Sequence, residues 1–184
     1  MNILPIVGYG SAILRCTATE AENNETSQLI IEQLLATAKS LKYAVGLAAN
    51  QINSDKAIFV MNMAHRYEVV VNPKITKRRA NYHAPEGCLS LPGMTTDSVI
   101  RDNIIDVEYF DKDFNRVKTT LRKFDSIVFQ HEYDHLLGIL YIDRMDDYKL
   151  EEVREKLASI EESKTKTYYD MIWPDKNVLL TKNS

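Results

Sequence analysis

Two histidines four residues apart constrain this chain more than any other feature of its sequence. His131 and His135 frame the segment HEYDH, and the surrounding apolar pattern predicts a helix from about Asp125 to Leu137. On a helix this spacing places both imidazoles on one face, about 5–6 Å apart at Cβ, as two ligands of one metal ion require. Asp125 is expected to cap the start of this helix, and Gly138 to follow its end. We therefore expect a fold built around a metal-binding helix.

The rest of the chain alternates between helical and strand patterns. Apolar residues at spacings of three and four predict an N-terminal and a C-terminal helix, whereas short β-branched runs predict strands. Asn72-Pro73 is expected to end the second strand, and the turn-rich segment 111–115 predicts a hairpin. The predicted helices span about 26–42 and 148–162, and the predicted strands span 57–61, 68–71, 104–110 and 116–121. This order favours an α+β fold with a mostly antiparallel sheet packed around the central helix.

Length and composition place the chain among ordinary globular proteins. It has 184 residues, of which 45% are apolar and 27% charged, and this favours a single domain over 1–184 rather than a disordered chain. Residues from about 148 to 184 are expected to form a C-terminal helix and a docked tail, because Trp173 and its neighbours are too apolar for a free tail. The net charge of −3 gives no electrostatic footprint for nucleic acid.

Cysteine usage and the N-terminal sequence indicate where the protein works. Cys16 and Cys88 are too few and too far apart for a disulfide framework, which favours a reducing compartment. The N-terminal apolar run has no basic start, and Pro5, Gly8 and Gly10 interrupt it. We expect neither a signal peptide nor a membrane span, and we predict a cytoplasmic protein.

The histidine pair needs a third ligand and a base if it is to support catalysis. Glu132 completes the pattern HExxH, in which the carboxylate is the general base to a metal-bound water. Catalytic sites of this kind use three protein ligands and an open position. Tyr141 stands where one class of HExxH enzymes has its third histidine, so that class is excluded. Glu155, twenty residues after His135, and Cys88 in EGCLSLPG are both candidates, and a thiolate is the stronger ligand for a soft or borderline ion.

Two rival functions remain open on the residues alone. With Glu155 as the third ligand the chain would be a metallopeptidase, and the segment EGCLS would have no role. In the second rival function the chain is not an enzyme, and the ion only stabilises the fold. Structural metal sites of this kind usually have four protein ligands. His83, five residues before Cys88, is the nearest further histidine or cysteine that could close such a site.

Three separated segments together resemble the signature motifs of the peptide deformylase family. They are VGLAANQ at 45–51, EGCLS at 86–90 and QHEYDHLLG at 130–138, and they stand in the family's order at similar separations. The opening ILPIVGYG is also similar, so the resemblance covers roughly residues 3 to 145. One position departs from the pattern: Ala44 stands where the first motif of the family has a glycine, two residues before Gly46.

The resemblance implies a metal centre and a mechanism. One divalent ion, Fe²⁺ in preference to Zn²⁺ or another ion, would be bound by Cys88, His131 and His135, with water as the fourth ligand. Glu132 would act as general acid and base while that water attacks the carbon of a formyl group. The developing oxyanion would accept hydrogen bonds from the side-chain amide of Gln51 and the backbone N–H of Leu89.

The resemblance also implies a substrate and its partners. The reaction would remove the N-formyl group from the formyl-methionine of newly synthesised polypeptides and release formate. A pocket for the methionine side chain would be formed by Val45, Gly46, Phe124, Ile127 and Val128. The expected partners are nascent N-formylmethionyl peptides, with the ribosome as a candidate, and no membrane or nucleic acid is expected among them.

Overall fold

The computed structural model describes residues 2–63, 66–162 and 165–174, and it has an α+β fold. The helices are α1 Glu25–Ser40, α2 Lys123–Leu136 and α3 Asp147–Glu161. The strands are β1 Ile6–Val7, β2 Gly46–Ala48, β3 Ile58–Met63, β4 Arg66–Gly87, β5 Thr95–Phe110, β6 Arg116–Arg122 and β7 Met171–Ile172. The predicted fold class and the three predicted helices are therefore confirmed. No helix in the described ranges is long and apolar enough to cross a membrane.

Five strands form one antiparallel sheet in the order β2-β3-β4-β5-β6. The predicted hairpin is confirmed, because β5 and β6 pair from Ile104↔Arg122 to Phe110↔Arg116. Its turn is closed by the Asp111 side chain, which accepts hydrogen bonds from the backbone N–H groups of Asp113 and Asn115. The sheet is therefore a sequence of adjacent strands joined by short connections.

The predicted end of a strand at Asn72-Pro73 is wrong. β4 continues for fourteen residues beyond Pro73, and its pairing with β5 shifts register between Val71 and Lys74. Asn72 has a left-handed φ of 49°, and its side-chain amide bonds the backbone N–H and C=O of Ala21. Because a bulge leaves a residue outside the ladder, a proline without an N–H is tolerated there. The continuation matters for function, since β4 ends immediately before Cys88.

Helix α2 packs on the sheet through a buried apolar face. The Phe129 ring meets Phe59 of β3 edge to face, with centroids 5.1 Å apart. The helix begins at Lys123 directly after β6, with no side-chain cap at Arg122, so the predicted cap at Asp125 is wrong. The end of the preceding strand fixes the start of the helix, and Asp125 lies in its first turn, where a negative charge suits the helix dipole.

Gly138 ends the α2 region as predicted, with a left-handed φ of 72°. A Cβ at this position would lie 2.5 Å from the carbonyl oxygen of Arg15, so only glycine fits. The backbone of this turn thereby packs directly on the N-terminal region and fixes the far end of α2.

The C-terminal residues contact the body of the protein. Strand β7 pairs in parallel with β1. The backbone N–H groups of Ile6 and Gly8 donate to the backbone carbonyls of Asp170 and Ile172, respectively. Trp173 packs so closely on Gly8 that a Cβ there would lie 2.7 Å from the indole ring. The apolar face of α3 packs in the same hydrophobic cluster as Trp173. Its residues there are Leu150, Val153, Leu157 and Ile160. The remainder of the predicted tail, 175–184, lies outside the described residues.

Candidate metal centre

Two parts of the fold bring three potential metal ligands together. Cys88 follows the end of β4, and His131 and His135 lie one turn apart on α2. One ligand atom from each residue lies within 4.8 Å of the other two, and the Sγ atom of Cys88 is 3.2 Å from Nε2 of His135. This is the arrangement in which a single ion can contact all three side chains.

A buried carboxylate orients His131. Its Nδ1 lies 2.6 Å from Oε2 of Glu86, which leaves Nε2 to face the other ligands. Glu86 is held in turn by Arg101 on β5, whose Nε and Nη2 donate to the two carboxylate oxygens at 2.5 and 3.0 Å. Burial by itself raises the pKa of Glu86, but hydrogen bonds from His131 and Arg101 outweigh it and lower the pKa to about 2. These hydrogen bonds therefore favour the anionic form of Glu86 behind His131.

The same arginine extends the network to α2. Nη1 of Arg101 donates to Oδ2 of Asp134 at 2.5 Å, and Arg144 donates to both oxygens of Asp134 at 2.6 Å. Arg101, Glu86 and Asp134 are all buried. This cluster, which we call the buried charge network, ties β4, β5 and α2 together around the ligands.

Glu132 is buried beside the ligands with one oxygen unpaired. It is only 3% exposed, and Oε2 has no hydrogen-bond partner among the described residues. Burial raises its pKa to about 7, although the charge of His131 acts in the opposite direction. A carboxyl group with a pKa near neutrality is suited to taking and returning a proton.

Gly46 makes room for that carboxylate. A Cβ at this position would lie 2.2 Å from Oε1 of Glu132, so any side chain here would displace that carboxylate.

Ala44 is buried and its carbonyl accepts a hydrogen bond from Tyr67 at 2.6 Å. Among the described residues, left-handed φ values outside glycine occur at Asn53, Asn72, Ala80, Phe114 and Lys123. Ala44 is not among them, so the alanine in place of the family glycine creates no backbone strain.

The amide of Gln51 points its nitrogen towards the sulfur. Its Oε1 accepts a hydrogen bond from the Ala48 backbone N–H at 2.9 Å, and its Nε2 donates to Ser90 Oγ at 3.2 Å and to Cys88 Sγ at 3.4 Å. The accepted bond fixes which end of the amide faces the ligands. Leu89 adjoins the sulfur in sequence and lines the same cavity.

All the predicted site residues border one cavity except His135, which is buried and is not among the lining residues. The cavity has a volume of about 380 Å³. Ile127 and Val128 are buried in its wall, whereas Val45 and Phe124 are exposed. Val128 also packs in the core on the sheet. The predicted methionine pocket is therefore an apolar wall beside the ligands, opening to solvent at one end.

The two competing ligands lie elsewhere. Glu155 is exposed on α3, and His83 is exposed on β4, where it pairs with Ile100. Neither belongs to the ligand group found in the described residues. The metallopeptidase and the four-ligand structural site therefore lose the residues on which they depended.

Sequence reasoning missed the residues around the ligands. Glu86 stands at the start of EGCLS, so that motif contained a signal for it. Arg101 and Asp134 have no signal in sequence, because a buried ion pair depends on contacts between distant elements. Tyr168 and Tyr169 also line the cavity, although their pattern indicated only docking.

The donor set fits a divalent cation. Burial by itself lowers the pKa of His131, but its hydrogen bonds to the Cys88 sulfur and Glu86 raise the pKa above its usual range, because both partners are negative or electron-rich. Burial lowers the pKa of His135 and keeps its imidazole neutral, as ligation requires. One thiolate and two imidazoles would suit a soft or borderline ion, and three protein ligands are the number that catalytic sites use.

Comparisons with known proteins agree with this geometry. The model of the polypeptide deformylase family matches residues 3–151. The chain belongs to this family. A peptide deformylase of Buchnera aphidicola is 33% identical over 170 residues, which cover 90% of this chain and 97% of that protein. A peptide deformylase of Thermus thermophilus is 36% identical over 165 residues, which cover 81% of this chain and 85% of that protein.

Solved structures show the same fold. The crystal structure of a Thermus thermophilus peptide deformylase matches with a TM-score of 0.82 and 37% sequence identity. The aligned region covers 89% of this chain and 100% of that chain. The crystal structure of a peptide deformylase from Legionella pneumophila matches with a TM-score of 0.81 and 28% sequence identity. Here the aligned region covers 90% of this chain and 99% of that chain. Family membership assigns to the chain the removal of formyl groups from nascent peptides with a divalent metal.

Proposed function

We propose that Cys88, His131 and His135 hold one divalent ion, Fe²⁺ in preference to Zn²⁺, and that it serves deformylation. The observation that supports this most directly is a buried, unpaired Glu132 oxygen beside three converging ligand atoms in one cavity. When bound, such an ion supplies Lewis-acid chemistry, because it lowers the pKa of a ligated water and polarises the formyl carbonyl. Iron is favoured by the resemblance of the three motifs to the family, and the thiolate–imidazole set accepts it.

Glu132 moves the proton in this mechanism. Its carboxylate takes a proton from the attacking water while a C–O bond forms at the formyl carbon. It then delivers that proton to the nitrogen of methionine as the C–N bond breaks, and formate and a free amine are released. Burial brings its pKa to about 7, so both the acceptance and the return of the proton are accessible near neutral pH.

Gln51 and the backbone N–H of Leu89 stabilise the oxyanion. The bond from Ala48 holds the Gln51 amide with its NH₂ towards Cys88, so the donor is preorganised before substrate arrives. A donor aimed at the developing charge contributes about 3–4 kcal/mol to the transition state. The Met side chain lies along Val45, Gly46, Phe124, Ile127 and Val128, which border the same cavity as Glu132.

We further propose that residues 1–184 form one catalytic domain that works in the cytoplasm, where formylated chains emerge from ribosomes. The ribosome is a candidate partner for the same reason. Helix α3 is not its RNA contact, because Glu151, Glu152, Glu155 and Glu161 outnumber the basic residues there.

Formate release tests this function. Protein purified without oxygen should contain about one iron per chain and release formate from formyl-Met-Ala-Ser. Removing the ion with a chelator should abolish release, and adding Fe²⁺ should restore it. Activity that survives complete metal removal would contradict the proposed centre.

A further inference from the structure

The C-terminal segment, defined here as residues 165–174, forms part of the cavity wall. It lies outside the region 3–151 that the family model matches. Tyr168 and Tyr169 both border the cavity that contains Glu132. The segment is fixed to the body at two places, by the pairing of β7 with β1 and by a 2.7 Å hydrogen bond from the Tyr169 hydroxyl to the carbonyl of Leu89. A part of this chain with no counterpart in the family model therefore faces the reaction site.

The rings of this wall stand at the mouth of the cavity. Tyr43 and Tyr168 line it while remaining 68% and 63% exposed. Their rings meet edge to face with centroids 6.1 Å apart, and Tyr168 meets Tyr169 in the same way at 4.9 Å. Three tyrosines from two distant parts of the chain thus make one aromatic surface that runs from Leu89 to solvent.

A peptide substrate has to pass this surface. The cavity, at about 380 Å³, lies near the lower end of the 300–1,000 Å³ found for ligand sites, and Glu132 lies buried within it. With the formyl group beside Glu132 and the methionine side chain along the α2 wall, the following residues leave through the mouth. Tyr43 and Tyr168 are 68% and 63% exposed there, so these residues can contact them.

We propose that the aromatic surface of Tyr43 and Tyr168 selects among substrates by the residues that follow formyl-methionine, and that it favours aromatic and large apolar side chains. Such rings gain from edge-to-face contact with a further ring. A cationic side chain is disfavoured, because the Lys42 ammonium lies 5.2 Å from the Tyr43 ring centroid and would repel it. The proposal rests on the deformylase function and adds a specificity-determining residue from the C-terminal segment.

The test compares three peptides: formyl-Met-Ala-Ala, formyl-Met-Phe-Ala and formyl-Met-Ala-Phe. For each enzyme the readout is kcat/KM for each Phe peptide divided by kcat/KM for the Ala peptide. One aromatic contact is worth about a 2- to 10-fold change. We expect Tyr168→Ala to lower at least one ratio by that factor, and Tyr168→Phe, which retains the ring, to keep both ratios at the parent's values.

Tyr148→Ala is the matched control. Tyr148 is 72% exposed on α3 and does not border the cavity, so both ratios should stay unchanged. Tyr43→Ala should lower the same ratio as Tyr168→Ala, and the double variant should lose less than the two single losses combined, because both rings form one contact surface.

The outcomes separate this proposal from the function beneath it. Equal ratios in the parent and Tyr168→Ala, or an equal loss on all three peptides, would overturn the proposal and leave the deformylase function intact. No formate from any of the three peptides with the parent enzyme would overturn the proposed function and the selectivity together.

Discussion

The two ends of the cavity are built in opposite ways. At the inner end, buried Glu86 bonds His131 and is held by Arg101, which also donates to buried Asp134. At the mouth, the surface consists of exposed rings such as Tyr168 that meet only edge to face. Chemistry needs fixed distances and excluded water, whereas recognition of varied peptide sequences needs adaptable contacts. Substitutions at the inner end should therefore change metal binding and turnover. Substitutions at the mouth should change the preference among peptide substrates.

The largest effect is expected for Cys88→Ala. Loss of the thiolate leaves two imidazoles, so the ion should dissociate during purification and formate release should fall to background. Cys16→Ala is the control, since this thiol is exposed, donates to the Ala12 carbonyl and lies outside the ligand group of the described residues. Metal analysis and a formate assay on both variants measure the effect. Full metal content with normal activity in Cys88→Ala would refute the ligand assignment.

A smaller effect separates binding from chemistry at Glu132. Glu132→Gln keeps the shape of the side chain and removes its ability to accept a proton, so turnover should fall by about 10²–10⁴. The ion should remain at one equivalent per chain, because the three ligands are untouched. A metal-free variant would instead make Glu132 a ligand or an essential support of one.

The buried charge network should matter through the ion. Arg101→Met removes the arginine partner of buried Glu86, whereas Asp134 keeps its pair with Arg144. Breaking a buried ion pair in this way should cost about 3–5 kcal/mol in the free energy of unfolding. Because Glu86 then orients His131 less well, metal affinity should fall by about 10- to 100-fold.

Urea unfolding and competition with a metal chelator measure the two effects of Arg101→Met. The control is Arg79→Met, which removes an arginine paired with Asp106 on the exposed part of the same sheet. It should leave both quantities near the parent's values. Unchanged metal affinity in Arg101→Met would show that His131 is oriented without the network.

The smallest effect is expected for Glu155→Ala. This residue is exposed on α3 and outside the ligand group, so metal content and turnover should both stay within error of the parent. Loss of the ion in this variant would return the metallopeptidase interpretation to consideration.

The sequence predicted which candidate ligands lie together better than it predicted the residues around them. His131 and His135 are close because helix geometry places residues four apart on one face, which is a local property. The course of β4 past Pro73 was missed, because it depends on a bulge and on the contact of Asn72 with Ala21. Arg101 was missed for the same reason, since its partners lie 15 and 33 residues away. Local patterns were sufficient for the helices and the motifs, whereas contacts between distant segments were not.

The pairing of β7 with β1 affects the order in which parts of this chain fold during synthesis. Ile6 pairs with Met171, so the first strand of the chain waits for nearly the last described one before it acquires its neighbour. Contacts of such long sequence separation form late, because a large loop must close first. The three candidate metal ligands all lie in the chain up to the end of α2, whereas the aromatic wall includes residue 169 and is followed by β7. During synthesis, the chain therefore acquires the residues proposed to act in hydrolysis before it acquires the surface proposed to select among substrates.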